Sequence, residues 1–238
     1  DKICVKDLPV MFFFQQRFCC SCGHLRSEFL EIYGTKVCAD CYEQLEASKS
    51  DQPLLLSNGK PVVSPFLYTP RVRSLILRAK VSGNLWALHF TTIALLEGCC
   101  LPQQPVQLVI SPAASLWSRC LGRTDLAAHV ASKVAARLGA IWYPTPFHHG
   151  WTLRKRSSLA RNQEHSAKPP APKLARGQMW RQRLASKAGA SPTVLVVDDV
   201  VTTGYSLQKV AEEVLAACPQ ATVFYAVIAT SRGRDFSN

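Results

Sequence analysis

The stretch from residue 193 to residue 230 constrains the fold more than any other part of the sequence. It opens with TVLVV, an uninterrupted aliphatic run that is typical of a strand buried on both faces. Residues 205–217 then have the apolar spacing of a helix, and ATVFYAVIA at 221–229 is a second buried strand. A strand, a helix and a strand in this order predict a right-handed parallel crossover, and hence an α/β fold with a parallel central sheet.

Two adjacent acids and a hydroxyl-rich turn separate the first of these strands from the helix. Asp198 and Asp199 follow TVLVV, and ligands of open α/β sheets bind beyond the carboxyl ends of strands. Carboxylates there bind Mg²⁺ or accept hydrogen bonds from the vicinal hydroxyls of a ribose. The turn brings hydroxyls and backbone N–H groups to a helix N-terminus, which favours an anion. Together these features suit a 5-phosphoribosyl group, and the alternative is an ordinary strand end followed by an ordinary helix cap.

Four cysteines near the start of the chain have the spacing of a metal site. Two CxxC pairs separated by fifteen residues are typical of a four-thiolate zinc site in a small zinc-ribbon-like module. The predicted ligands are Cys19, Cys22, Cys38 and Cys41. Cys20 and His24 leave the register of the site open, and the alternatives to zinc are buried thiols or a redox pair. A thiolate site in a chain with ten cysteines predicts a reducing compartment, the cytoplasm.

The segment SKSDQPLLLSNGKPVVSP carries linker and turn signals, so we place a domain boundary near residue 50. The zinc module is then expected at 1–50 and the α/β domain at 51–238. No apolar run approaches the roughly 20 residues that span a bilayer, so no membrane insertion is expected.

The elements expected in the α/β domain follow from turn signals and apolar periodicity. They are a hairpin closed by Asn58-Gly59, helices at 70–80 and 85–96, a strand at 106–111, a helix opened by Thr124 and ended by Gly139, and a strand at 140–143.

Three quarters of the net charge of +12 lies in residues 151–187, which hold ten Lys or Arg against one acid. Because KPPAPK within this segment disfavours regular structure, we predict a flexible basic loop. Such a loop could close over pyrophosphate, or it could bind single-stranded DNA along its phosphates. In the second case its two tryptophans could stack on bases, and the alternative is that they pack in the core. The DNA-binding candidates are Trp151, Arg154, Lys155, Arg156, Arg161, Arg176, Trp180, Arg181 and Arg183.

The whole arrangement resembles the ComF family, the competence-associated proteins of bacterial DNA uptake. The resemblance rests on CSC and VCADC near the front, on LILRAKVSGN at 75–84, and on VLVVDDVVTTGYSL at 194–207. The last stretch resembles the signature for 5-phosphoribosyl-1-pyrophosphate (PRPP) in type I phosphoribosyltransferases. The resemblance implies a type I phosphoribosyltransferase fold behind an N-terminal zinc module, PRPP bound with Mg²⁺, and a role with single-stranded DNA alongside competence proteins such as a helicase.

By this resemblance Asp198 and Asp199 contact the ribose hydroxyls, and Lys80 matches a lysine of the family. The turn around the 5-phosphate corresponds to Val201, Thr202, Thr203, Gly204, Tyr205 and Ser206. The chain departs from the family where pyrophosphate is held, because it reads Ser-Pro-Ala at 111–113 and Gly-Arg-Thr-Asp at 122–125. Candidate pyrophosphate ligands are therefore Lys80, Arg119 and Arg123. The sequence names no catalytic base, and it leaves open a transferase, a PRPP-sensing regulator and a DNA-binding protein.

Overall fold

The computed structural model describes residues 18–113, 121–145 and 171–231, with the backbone alone for residues 171–177. Near the N-terminus, strands β1 (Leu30–Ile32) and β2 (Thr35–Val37) form an antiparallel pair, and helix α1 (Ala39–Glu46) follows them. Tyr33 and Gly34 both have positive φ, which is what a tight two-residue connection between such strands requires.

A second sheet of seven strands carries the body of the protein. Its order is β3-β4-β9-β8-β6-β7, and β5 also pairs with β9. The β3–β4 pair is antiparallel and every other pairing is parallel, which confirms the predicted α/β class with a mostly parallel central sheet. The strands are β3 (Leu54–Leu55), β4 (Pro61–Val63), β5 (Phe66–Leu67), β6 (Leu108–Ile110), β7 (Ile141–Trp142), β8 (Thr193–Val201) and β9 (Thr222–Thr230).

In the part of the chain that the structure describes, five helices accompany this sheet, and three of them start at a residue whose side chain accepts a capping hydrogen bond. Thr69 caps the first of them through its hydroxyl, and Pro70 occupies the first helical position, where its missing N–H costs nothing. The helix predicted to open at Thr124 begins two residues later, because the Asp125 carboxylate accepts from Ala128 N–H. The helices are α2 (Pro70–Lys80), α3 (Leu85–Gly98), α4 (Leu126–Leu138), α5 (Ala171–Ala188) and α6 (Tyr205–Ala217).

The predicted hairpin is present between β3 and β4. Gly59 has a φ of +72°, and Lys60 N–H donates to the Asn58 side-chain oxygen at 3.1 Å. Pro61 is the first residue of β4, where its lack of an N–H is tolerated.

The sheet has an apolar cluster on each face, because alternate residues of β8 point to opposite sides. Leu195 and Val197 pack with α2, α3 and α4 on one face, whereas Val194 and Val196 pack with α5 and α6 on the other. The first cluster also contains Cys19, Cys38, Cys41 and Leu45 of the N-terminal module. The module and the sheet domain therefore share one continuous apolar core.

The end of the segment that the sequence predicted as a loop, residues 171–187, is helical instead. Residues 171–188 form α5, and Pro172 is accommodated because it falls in the first turn, where a backbone N–H would have no intrahelical acceptor. Trp180 of this helix is only 5% exposed, its Nε1 donates to the Pro144 carbonyl at 3.2 Å, and its ring stacks on Tyr143. Trp180 is thus a core residue rather than a platform for bases. Trp151 and residues 152–170 lie outside the described residues.

Within the three described stretches, no helix combines the length and the apolar character needed to cross a bilayer.

Candidate functional site

The acidic pair lies inside β8 and not beyond its end as the sequence suggested. The strand runs on through Val200 and Val201, although the pairing register with β9 skips Asp199. Here the two carboxylates accept hydrogen bonds from neighbouring backbone groups. Asp199 N–H donates to Asp198 Oδ1 and Val200 N–H donates to Asp199 Oδ1, both at 2.8 Å. This self-bonding keeps one oxygen of each carboxylate occupied and fixes the orientation of both groups.

Burial raises the pKa of Asp198 well above its ordinary value, and the neighbouring Asp199 carboxylate adds to the shift. The N–H of Asp199 and the Lys80 ammonium act in the opposite direction but do not cancel it. A cation bound between the two carboxylates would relieve the penalty, because it stabilises the charged form of Asp198.

We expect Asp198→Asn to raise the melting temperature by a few degrees at pH 8. The ionised Asp198 is penalised in the folded state, whereas asparagine keeps the oxygen that accepts from Asp199 N–H. Since the folded pKa is above the unfolded one, this penalty is absent below the ordinary value of 3.8 and grows as pH rises through the folded pKa. Thermal melts from pH 4 to pH 8 should show a gain that grows with pH, and a constant or negative difference would contradict it. Asp51→Asn, at an exposed turn, is the matched control.

The turn after β8 leads into the N-terminus of α6. Gly204 is the N-cap residue of α6 in the left-handed conformation, and it has no side-chain oxygen to accept from the first-turn N–H groups. The Thr203 hydroxyl accepts a hydrogen bond from Tyr205 N–H at 3.4 Å. A cavity of about 40 Å³ is lined by Asp198 and by the run from Val200 to Leu207. The same cavity thus meets a carboxylate at one end and the positive end of a helix dipole at the other.

Gly204 is required at this turn for two separate reasons. Its φ is +72°, and a Cβ built on it would lie 2.3 Å from Cδ2 of Leu56, a side chain that is itself buried. The hairpin residue Gly59 has the same φ with nothing within 4 Å of such a Cβ. The two glycines therefore separate backbone strain from steric conflict.

Accordingly, Gly204→Ala should destabilise the protein by more than about 1 kcal/mol, and by more than Gly59→Ala. The difference between the two variants is the cost of displacing Leu56 from the apolar cluster beneath α6. Chemical denaturation of both variants measures it, and equal losses would show that the contact with Leu56 has no energetic weight.

Lys80, the last residue of α2, brings a cation to the acidic pair. Its Nζ donates to Asp199 Oδ2 in an ion pair whose lysine side chain is 38% exposed and whose carboxylate is 14% exposed. Burial alone would lower the pKa of Lys80, but the attraction and hydrogen bond of Asp199 outweigh it and raise the pKa. The charges of Asp198 and Asp125 act in the same direction.

Residues 121–125, which include the predicted pyrophosphate ligand Arg123, approach this site. Thr124 N–H donates to the Lys80 carbonyl at 3.0 Å, which brings Asp125 close enough to influence the amine. The sequence predicted a helix start at Thr124 and a pyrophosphate ligand at Arg123, but it gave no role to Asp125. Arg123 is exposed on the same segment, whereas Arg119 lies outside the described residues.

The four predicted metal ligands converge in the N-terminal module. The Sγ atoms of Cys19, Cys22, Cys38 and Cys41 all lie within 4.8 Å of one another, and those of Cys22 and Cys38 are 3.9 Å apart. Tetrahedral zinc with Zn–S bonds of about 2.3 Å needs sulfurs about 3.8 Å apart, so the cluster has the right dimensions for such an ion. These four side chains could hold a metal such as zinc.

Local hydrogen bonding prepares one of these sulfurs for a metal. Burial works to raise the pKa of Cys19, but the N–H groups of Cys22, Cys38 and Ser21 outweigh it and lower the pKa to about 7. In contrast, burial raises the pKa of Cys20 to about 12, and its Sγ lies 3.8 Å from the Thr35 hydroxyl. Among the described residues, neither Cys20 nor His24 belongs to the cluster, so the predicted ligand register is the one that the structure brings together.

The structure disperses the described members of the basic segment. Arg181 donates through Nε to Glu213 of α6 at 2.7 Å, and this ion pair joins α5 to α6. Arg183 is exposed. Arg176 lies in α5, in the part for which only the backbone is described. Outside the described residues lie Arg154, Lys155, Arg156 and Arg161.

A larger cavity lies away from the acidic pair. It has a volume of about 330 Å³ and is lined by α6, the β3–β4 hairpin and the first residues of β9, including Lys60 and Glu212. Because Thr222 and Val223 open β9, this cavity is near the amino end of the strand, whereas the acidic pair is near the carboxyl end of β8.

No protein-family model and no curated protein matches the sequence. Among solved structures, the chain is similar to one described as "Crystal structure of orotate phosphoribosyltransferase from Aeropyrum pernix". The sequence identity is 20%, the alignment covers 82% of this chain and 81% of that chain, and the TM-score is 0.33. Likeness at this level adds nothing to what the geometry of the site supports.

Proposed function

We propose that residues 198–206 bind a 5-phosphoribosyl ligand, with PRPP and Mg²⁺ as the foremost candidate. The observation that carries the proposal is the cavity between Asp198 and the N-terminus of α6, whose N-cap residue Gly204 has no side-chain acceptor, so that carboxylates and an anion site adjoin on one strand, turn and helix. A ribose phosphate needs both, since its hydroxyls donate hydrogen bonds and its phosphate accepts them.

Within this proposal the residues have distinct tasks. Asp198 and Asp199 accept from the ribose hydroxyls or hold Mg²⁺, which when bound would neutralise pyrophosphate charge. Thr202, Thr203 and Ser206 offer hydroxyls to the 5-phosphate, together with the backbone of Val201, Gly204 and Tyr205. Lys80 and Arg123, with Arg119, are the proposed cations for the pyrophosphate.

The proposal includes membership in the type I phosphoribosyltransferase superfamily and, within it, in the ComF family. The support is the mostly parallel sheet, the acidic strand that leads into α6, and the four-cysteine cluster ahead of them. We propose zinc as the metal of that cluster. We also propose the cytoplasm as the location, because thiolate sites persist in a reducing compartment.

Isothermal titration calorimetry with PRPP and Mg²⁺ tests the proposed ligand. We expect a dissociation constant below about 1 mM, and weaker binding of ribose 5-phosphate and of pyrophosphate, each of which offers half of the contacts. Equal affinity for pyrophosphate alone would place the site elsewhere, and absence of PRPP binding would refute the proposal.

A product assay then separates an enzyme from a regulator. Release of pyrophosphate would identify a transferase, in which the C1–O bond of PRPP breaks and an acceptor nucleophile forms the new bond at C1. Positioning and charge stabilisation can provide much of the reduction in the activation free energy of such a step. The lack of a named catalytic base is therefore compatible with turnover. Binding without release would identify a PRPP-dependent regulator.

The basic segment supports a second candidate function, binding of single-stranded DNA. Residues 151–187 supply +9 of the net charge of +12, and Arg183 and Lys187 of α5 are exposed. In this role the protein would act during DNA uptake with partners such as a helicase.

Fluorescence anisotropy of a labelled single strand at several salt concentrations tests DNA binding. If about four phosphates are contacted, the slope of log K against log salt should be about −3. Arg183→Glu should weaken binding more than Glu212→Gln, which alters the exposed side of α6. Affinity independent of salt would rule out this function.

A further inference from the structure

Helix α2 contacts the four-cysteine cluster at the loop between its first two ligands. The Ser74 hydroxyl donates to the Ser21 carbonyl at 3.1 Å, and Arg78 Nε donates to the Cys20 carbonyl at 3.2 Å. Residues 20 and 21 lie between Cys19 and Cys22, so the two carbonyl groups that α2 contacts belong to the loop that joins these two cysteines. The position of α2 is thereby linked to the state of the cluster.

The contact of Arg78 with this loop is closely fitted. Gly23 has a φ of +77°, and a Cβ built on it would lie 2.1 Å from Nη1 of Arg78. The guanidinium therefore occupies the space that the missing side chain leaves, directly after the Cys22 ligand. Such a fit is not expected of an arginine that merely covers a surface, because a surface arginine keeps its head group in water.

The same helix ends at the acidic pair. Lys80 follows Arg78 by two residues, about 3 Å along the helix axis, and its Nζ donates to Asp199. The buried face of α2, formed by Val72, Leu75, Ile76 and Ala79, packs into the apolar cluster that the metal ligands share. A shift of the cysteine loop therefore moves the backbone that carries Lys80, because a close-packed helix moves as a unit.

We infer that Arg78 is a positioning residue through which metal occupancy of the four-cysteine cluster holds Lys80 against Asp199. The cluster then regulates the acidic pair in addition to stabilising the module. The effect on a phosphoribosyl ligand rests on the proposed function, whereas the effect on Lys80 does not. By linkage, a ligand at the acidic pair changes metal affinity by the same factor.

Acetylation of Lys80 tests the link without any ligand. An ion-paired ammonium reacts slowly with acetic anhydride, since only the neutral amine attacks, and mass spectrometry gives the rate at this residue. We expect Arg78→Ala to accelerate the acetylation of Lys80 by about fivefold, the lower end of ordinary coupling between sites. Arg73→Ala, which removes an exposed arginine of the same helix, should leave the rate unchanged.

Chelation of the metal from the wild-type protein is the second perturbation. It should accelerate Lys80 acetylation as Arg78→Ala does. Because both perturbations act on one link, the acceleration in the chelated Arg78→Ala variant should be smaller than the product of the two separate accelerations. An unchanged rate in metal-loaded Arg78→Ala, or fully multiplicative effects, would overturn the inference. Asp199→Asn gives the rate of the unpaired lysine.

Calorimetry on the same samples distinguishes this inference from the proposed function. If wild-type protein binds PRPP, we expect metal-loaded Arg78→Ala to bind it about fivefold more weakly, with Arg73→Ala unchanged. If no variant binds PRPP while Lys80 acetylation follows the metal, the proposed function fails and the link stands. If PRPP binds and Lys80 acetylation ignores both Arg78 and the metal, the link fails and the proposed function stands.

Discussion

Asp199→Asn is expected to weaken the binding of PRPP with Mg²⁺ at least about 100-fold, because hydrogen bonds to a charged group contribute roughly 1.5–3 kcal/mol each and a ribose can make two. Asparagine also removes the negative charge that attracts Mg²⁺ and Lys80. The fold should survive, since the asparagine oxygen still accepts from Val200 N–H as Asp199 Oδ1 does. Calorimetry gives the affinity, and a thermal melt verifies the fold.

Glu212→Gln is the control for this experiment, because it neutralises an exposed acid of α6 whose partner is Lys209. It should bind PRPP as the wild-type protein does. Binding to Asp199→Asn within threefold of wild type would show that the ligand does not contact the acidic pair, whatever its affinity.

Loss of the four-cysteine cluster is expected to have the largest effect on stability. Cys38→Ser removes one ligand, and metal binding contributes directly to the folding of such modules. Cys19, Cys38 and Cys41 also belong to the apolar cluster with Leu45 and Leu75, so loosening the module exposes part of the main core. A loss of several kcal/mol corresponds to roughly 10 °C or more in a chain of this size.

Cys100→Ser is the matched control, because Cys100 is an exposed thiol outside the cluster. Metal analysis should find about one zinc per chain in the wild type and in this control, and far less in Cys38→Ser. A Cys38→Ser protein that keeps both its zinc and its melting temperature would remove Cys38 from the ligand set.

The strand, helix and strand of the C-terminal region could be predicted because each has an unambiguous apolar period. The cysteine ligands could also be predicted, since two CxxC pairs at this spacing have few other uses. Both signals are local, and each element forms where its own residues favour it.

The remaining features depend on contacts between distant parts of the chain. The pairing of Lys80 with Asp199 joins residues 119 positions apart, and no local pattern reports it. The proline-rich stretch before α5 suggested a loop, but a proline in a first helical turn costs no hydrogen bond. Burial of Trp180 against Tyr143 was likewise undetectable, because the neighbouring residues of α5 are mostly polar.

The position of β9 in the sheet has a consequence for how the chain folds. Among the described strands β9 comes last in chain order, yet it lies between β4 and β8, and the Ser64 hydroxyl donates to the Ile228 carbonyl 164 positions further along the chain. The early strands β4 and β5 therefore lack their parallel neighbour until β9 has been synthesised. Non-local pairing of this kind slows folding and leaves strand edges exposed meanwhile, so we expect the sheet to assemble only once β9 is available, with chaperones protecting the exposed edge until then.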